Sequence, residues 1–261
     1  MPLLMPCAYL LVSHGSHDPR PVIAMQQLAE LVSRKVQSNL IDSCYQSNIV
    51  SSGVASQLGC KTLVGTAYLE LSPEPLHEQI KRFGISTIAQ GCHCLKILPL
   101  FLLPGVHVME DIPNEVVLAE QALGQDIIIK QQPYLGSHPG LESLLEKQLA
   151  ATTAEARILL AHGSRRPLSS HPIEALAAAL GAVAAYWSVP PSLESRVQEL
   201  VIAGCRNIVI VPYFLFVGGI TDAIAHKQEE LKLQFPEVSF QLAEPLGATV
   251  ELAELIWDLI G

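Results

Sequence analysis

Two histidines and one glutamate stand out as residues able to do chemistry together. His14 follows the apolar run Tyr9–Val12 in LLVSHGSHDPR (10–20), His107 follows ILPLFLLPG (97–105), and Glu70 lies near the end of KTLVGTAYLEL (61–71). Two imidazoles and one carboxylate make a borderline nitrogen/oxygen ligand set, suited to a divalent transition metal such as Fe, Co, Ni or Zn. Structural zinc prefers four closed ligands, usually with Cys. An open set of three fits a metal that is delivered or transferred. On its own, a histidine at a strand end reads as a turn or cap residue. The metal reading rests on three such residues falling on one edge.

Other chemistries are less well served. Ser13 and Ser16 flank His14, yet the segment is not the G-x-S-x-G elbow of a hydrolase. Gly15 before a helix start could seat a phosphate, but one glycine is far short of a P-loop or a G-x-G-x-x-G turn, and a tight turn needing positive φ accounts for it. In Cys92-His93-Cys94 neighbouring side chains of a strand would point to opposite faces, which is poor for chelation. His17, Arg20, Arg165 and Arg166 surround two similar turns. They read either as solvated loop charge or as cations that neutralise an anionic ligand. His138, in LGSHPG, reads as a helix cap or a ligand contact. His77, His171 and His226 fall in helical runs as surface or cap residues.

The elements that must position these groups alternate. Strands are predicted at 8–13, 61–71, 95–103, 126–130, 157–161, 183–187, 207–216 and 238–243. Helices are predicted at 21–37, 74–83, 113–123, 139–150, 172–180, in a stretch ending near 203, at 221–235 and at 248–260. Residues 39–59 are polar and Ser-rich, reading as a surface loop or an irregular helix. Such alternation specifies parallel sheets with helices on both faces and right-handed crossovers. His14, Glu70 and His107 then sit at carboxyl ends of strands, the edge where open α/β sheets bind ligands.

The bulk properties agree with a globular α/β protein. Of 261 residues, 49% are hydrophobic and 16% charged, enough apolar material for a substantial core. A net charge of −9 argues against nucleic acid as a partner. No apolar window reaches the ~18 residues of a membrane span, and the first residues lack the basic region of a signal peptide. Six scattered cysteines without a CxxC pair fit a reducing cytoplasm.

The chain also repeats itself. LLVSHGS returns as ILLAHGS (158–164), ILPLFLLPG as IVPYFLFVG (210–218), TAYLELSPEP (66–75) as AAYWSVPPS (184–192), and PYLGSHPGLESLL (133–145) as PLGATVELAELI (245–256). This order predicts two related lobes, residues 1–150 and 151–261. His162 repeats His14, but Ser188 stands at the position of Glu70 and Ile220 at that of His107. The second lobe therefore keeps one candidate ligand of three and reads as a lid or binding wall.

Together, LVSHGSHDPR, AYLELSPEPL, LPLFLLPGVHVMEDIP and the degenerate copies LAHGSRRP and VPYFLFVGG resemble the sirohydrochlorin chelatase family, in its long two-half form. The likeness covers nearly the whole chain. It implies two tandem chelatase-like α/β lobes with a cleft between them, in which a tetrapyrrole lies. It implies insertion of a divalent metal, Fe²⁺ for sirohaem, into sirohydrochlorin, with His14, His107 and Glu70 as both the catalytic and the metal-handling residues. Ser13, Gly15, Ser16, Arg20, Gly105, His138, His162 and Arg165 would line the substrate, with arginines facing its many carboxylates. Insertion of Co²⁺ for cobalamin synthesis and non-catalytic tetrapyrrole or metal binding are the competing readings. No tightly bound cofactor is expected, since the metal is a substrate. A monomer is expected, since both lobes are on one chain. Many relatives carry Arg where this chain has His17.

Overall fold

A computed structural model describes residues 7–46, 63–150, 152–164 and 170–261. The first lobe begins with β1 (Cys7–Ser13), α1 (Pro19–Gln46), β2 (Val64–Tyr68), α2 (Leu76–Ala89) and β3 (Cys94–Pro99). A π-helical turn at His107–Asp111 then runs into α3 (Ile112–Leu123), followed by β4 (Ile128–Gln131) and α4 (Gly140–Ala150). The second lobe follows as β5 (Ala156–Ala161), α5 (His171–Ala179), β6 (Val183–Tyr186), α6 (Leu193–Ile202), β7 (Asn207–Pro212), α7 (Gly219–Gln234), β8 (Ser239–Leu242) and α8 (Val250–Ile260).

Each lobe has one four-stranded sheet, ordered β2-β1-β3-β4 and β6-β5-β7-β8. Every pairing is parallel. Both sheets start with a central strand, step outwards, and return on its other side. That places a topological switch point between β1 and β3, and another between β5 and β7, the crevice where open α/β sheets take ligands.

The continuous apolar run of β1 has its physical reason in burial on both faces. Leu10 and Val12 join Leu76 and Ile80 of α2 and Ile112, Val116 and Ala119 of α3 in one core cluster. Tyr9 and Leu11 are equally buried but lie outside that cluster, with α1 against β2 and α8 against β3 on the opposite side. In the second lobe Ile158 and Leu160 of β5, Val197 of α6 and Ile224 and Leu231 of α7 form the matching core.

Several boundaries differ from the sequence reading. Helix α1 continues through Gln46, so part of the stretch read as loop or irregular helix is regular helix; the rest of it, 47–59, lies outside the described residues. Strand β3 stops at Pro99 rather than 103. Helical structure after β3 begins at His107 rather than near 113.

The repeat is expected to divide the chain at 150/151, and packing ties elements together across that division. One compact unit comprises residues 1–138 and 248–261, the other 139–247. The reason is packing: α8 buries Leu252, Ala253, Ile256 and Ile260 and packs on α1 and β3 of the first unit. Lys35 pairs with Glu254 at 3.2 Å, and the Lys96 ammonium donates to the carbonyl of Ile260. No helix among the described residues is long and apolar enough to cross a membrane.

Candidate functional site

The site is built on backbone that continues the sheet beyond its strands. Leu69 N–H donates to the Ser13 carbonyl at 2.9 Å, and Glu70 N–H donates to the His14 carbonyl at 2.8 Å. His14 and Glu70 are thereby held side by side, one residue past β1 and two past β2. Gly15 makes the approach possible. Its φ is +103°, and a Cβ there would lie 2.0 Å from the Glu70 carbonyl oxygen. Leu71, next after Glu70, has φ +54°, the only positive value at a non-glycine among the described residues. Such left-handed backbone costs about 1–2 kcal/mol for a side chain with a Cβ. It turns the chain away immediately after Glu70.

His107 arrives from the other side of β1. Leu100 N–H donates to the Val12 carbonyl at 2.7 Å, continuing β3 past Pro99. The chain then turns at Gly105, whose carbonyl accepts from Val108 at 3.2 Å and Met109 at 3.1 Å, and the π-helical turn carries His107. The Phe101 ring flanks the imidazole pair, its centroid 6.3 Å from that of His14 and 6.0 Å from that of His107.

The structure brings the three predicted ligands together. His14 Nε2 is 3.7 Å from Glu70 Oε2, and His107 Nε2 is 4.0 Å from Glu70 Oε1. The imidazole centroids are 4.9 Å apart in an edge-to-face arrangement. One ligand atom from each residue lies within 4.8 Å of the others. These separations exceed a hydrogen bond and approach the spacing, about 3–3.5 Å, of donors sharing one ion at about 2.1 Å. All three side chains retain solvent access, with His14 at 52%, Glu70 at 48% and His107 at 32%. Three donors of this kind can hold a divalent ion on one side and leave its other coordination positions open.

The remaining predicted residues are distributed unevenly. Ser13 and Gly15 supply the turn backbone. Ser16 accepts the Asp18 N–H on its hydroxyl at 3.0 Å, a local turn ahead of α1. Arg20 is engaged by Asp18: its Nε is 3.1 Å from both carboxylate oxygens and its Nη2 2.5 Å from Oδ2. This guanidinium holds the Asp18 carboxyl below the ordinary carboxylate range, so Arg20 already carries an anion. His138 is set against α8, its Nε2 3.8 Å from Asp258, and is not one of the clustered ligands. His162 belongs to the other compact unit, and Arg165 lies outside the described residues. In Cys92-His93-Cys94, Cys92 and Cys94 are buried, while the exposed His93 meets the Asp126 carbonyl at 2.9 Å. Burial pushes the thiol of Cys7, the β1 partner of Cys94, up to about 12, which leaves a protonated thiol and a poor ligand.

Asp111 was not anticipated from the sequence. Its Oδ2 lies 2.8 Å from His107 Nδ1. A His-x-x-x-Asp spacing places two residues on one helical face, but the sequence pattern started this helix two residues after Asp111. Phe101 was missed for a different reason: in an apolar strand run, an aromatic reads as core.

The second lobe preserves the turn and lacks two of the three candidate ligands. Trp187 N–H donates to the Ala161 carbonyl and Ser188 N–H to the His162 carbonyl, both at 2.9 Å, matching the contacts of Leu69 and Glu70. Tyr213 N–H donates to Leu160 as Leu100 does to Val12. This register sets Ser188 at the position of Glu70 and Ile220 at that of His107. The Ser188 hydroxyl donates to the His162 carbonyl at 2.8 Å, so it is spent on the turn itself.

Comparison with known proteins agrees with this architecture. The chain is 25% identical over 211 residues to the sirohydrochlorin cobaltochelatase of Priestia megaterium, covering 74% of this chain and 67% of the relative. A sirohydrochlorin ferrochelatase of the same organism is 23% identical over 202 residues, covering 72% and 73%. The solved structure of SirB from Bacillus subtilis with Fe³⁺ shares the fold, with a TM-score of 0.69 at 21% identity over 98% of this chain and 94% of that one. The sequence model of the CbiX family matches residues 51–152 and again 156–260. Matched once in each half, and built as two tandem parallel α/β lobes, the chain belongs to the CbiX family, that of the sirohydrochlorin chelatases, in its two-lobe form.

Proposed function

We propose that this protein inserts a divalent metal ion into sirohydrochlorin, with Fe²⁺ as the metal and sirohaem as the product. The observation that carries the reading is the convergence of His14, Glu70 and His107, with one donor atom of each within 4.8 Å of the others. The names of the relatives support the substrate class. For the metal, the donor set accepts Fe²⁺ and Co²⁺ alike. Two ferrochelatases stand beside one cobaltochelatase among the curated relatives, and Co²⁺ is the competing reading.

The chemistry required is modest and local. A free tetrapyrrole carries two pyrrolic protons that leave as the metal enters. Neutral imidazoles bind the hydrated ion, displace part of its water, and accept protons as the ring takes the metal over. Glu70 balances the positive charge between the two rings. Three ligands on one side leave the opposite side of the ion for the macrocycle, and holding both reactants together makes the transfer effectively unimolecular. The residues beyond the trio enter this reading in different ways. Ser13 and Gly15 shape the turn beneath the ligands. Arg20 would contribute to carboxylate binding only by exchanging Asp18 for the substrate. Arg165, His162 and His138 remain candidates for contact with the periphery of the ring.

Anaerobic incubation with sirohydrochlorin and either Fe²⁺ or Co²⁺, followed by absorption spectra, tests the proposal. Catalysed metalation faster with Fe²⁺ is expected. Faster metalation with Co²⁺ would make the protein a cobaltochelatase. Stoichiometric binding of the tetrapyrrole without any acceleration of metalation would remove the enzyme reading altogether.

A further inference from the structure

We infer that Asp111 is a positioning residue: it holds the His107 ring in the Nδ1–H tautomer and so presents the Nε2 lone pair to the metal. The inference deepens the chelatase reading and rests on it. Asp111 Oδ2 is 2.8 Å from His107 Nδ1, while His107 Nε2 faces Glu70 Oε1 at 4.0 Å. A carboxylate offers only acceptors, so the contact requires the proton to sit on Nδ1. A neutral imidazole then has its remaining lone pair on Nε2, the nitrogen that faces the other two ligands. A carboxylate behind a ligating histidine also fixes ring orientation and raises ligand basicity.

Two further observations support the assignment. His107 and Asp111 are the first and last residues of the π-helical turn, closed by the Ile112 N–H to the His107 carbonyl. π-Helical turns are rare and concentrate at functional sites. The second lobe supplies an internal contrast. In the register set by the shared backbone contacts, Ile220 stands for His107 and Ile224 for Asp111. Ile224 is fully buried in the core of its lobe, and helix α7 runs as regular α-helix from Gly219. Where the ligand is replaced by an apolar residue, its partner and the π-helical turn are absent too.

The test uses the full chain with ¹⁵N-labelled histidine, without metal, and reads the His107 tautomer from ring-nitrogen NMR signals assigned by their loss in H107Q. Wild-type protein is expected to show the Nδ1–H form. D111L, which keeps bulk and removes the acceptor, is expected to move His107 towards the Nε2–H form. It should weaken Co²⁺ binding, followed by its visible absorption, by about 10–100-fold. D111N keeps the shape but adds an N–H donor that can point at Nδ1, so it no longer forces the Nδ1–H form and is expected to shift the tautomer and weaken Co²⁺ binding as D111L does. An Nε2–H ring in the wild type, an unchanged tautomer in D111L, or Co²⁺ affinity of D111L within about twofold of wild type each overturns the inference. The NMR readout separates this from the function it rests on. A wild-type protein with the Nδ1–H ring that binds no Co²⁺ would uphold the tautomer and overturn the metal site.

Discussion

The two lobes share a fold, a strand order and a turn, and they differ in what the turn carries. After β1 the chain presents His14 beside Glu70. After β5 it presents His162 beside Ser188, with the same pair of backbone hydrogen bonds underneath. After β3 comes His107 on a π-helical turn held to Asp111. After β7 comes Ile220 on an ordinary helix. The comparison teaches that the turn is scaffold and that chemistry depends on which side chains three separate crossovers deliver to it. A histidine at the carboxyl end of a central strand is common to both lobes. Among the described residues, only in the first does it have a carboxylate and a second imidazole within reach.

Several substitutions would break or sharpen this contrast. The largest effect is expected at the ligands. His14→Ala or His107→Ala should lower Co²⁺ affinity by at least about 100-fold, since loss of an outer-shell partner alone costs about 10–100-fold. His162→Ala should leave that affinity within about twofold. Isothermal titration checks both, and equal losses in the two lobes would end the asymmetry between them.

Next are the paired turn glycines. Gly15→Ala places a methyl group against the Glu70 backbone, whereas the neighbours met at Gly163 are side-chain atoms, Val189 Cγ2 at 2.7 Å and Tyr186 Cβ at 2.9 Å. Backbone cannot step aside as a valine methyl can. Gly15→Ala should therefore cost about 3 kcal/mol in urea unfolding and impair metal binding. Gly163→Ala should cost about 2 kcal/mol, chiefly for its left-handed φ, and spare metal binding. The smallest effect is expected at Leu71. This side chain is 52% exposed, so Leu71→Gly forfeits little burial and relieves the left-handed backbone. A gain of up to about 1 kcal/mol in unfolding free energy is expected, with weaker metal binding as Glu70 loses its fixed direction.

Much of this molecule was legible in its sequence. Alternating apolar runs and amphipathic stretches announced two parallel sheets, because a strand covered on both faces cannot afford polar positions and a covering helix must keep one apolar stripe. The repeat exposed the missing ligands of the second lobe before any geometry was known. Element ends were harder. Helix α3 was expected to start at its proline, and the helical turn before it was hidden because a π-helical turn has no periodicity of its own to read. Arg20 was legible as a cation near the site. Its engagement by Asp18 was not, since a charge two residues away can pair with it or turn to solvent.

The sequence by itself determined the fold class and the tandem lobes and singled out the three candidate ligands, since these follow from local periodicity and from internal comparison. Tertiary structure decided what those residues amount to. Their separation, the Asp111 contact and the close approach of Gly15 to Glu70 depend on strand register, and register is set by packing between elements far apart in the chain. Placement of the last helix was decided in the same way. An apolar stripe states that Leu252, Ala253, Ile256 and Ile260 must be buried, but only the packed molecule shows that α1 and β3 of the first unit bury them.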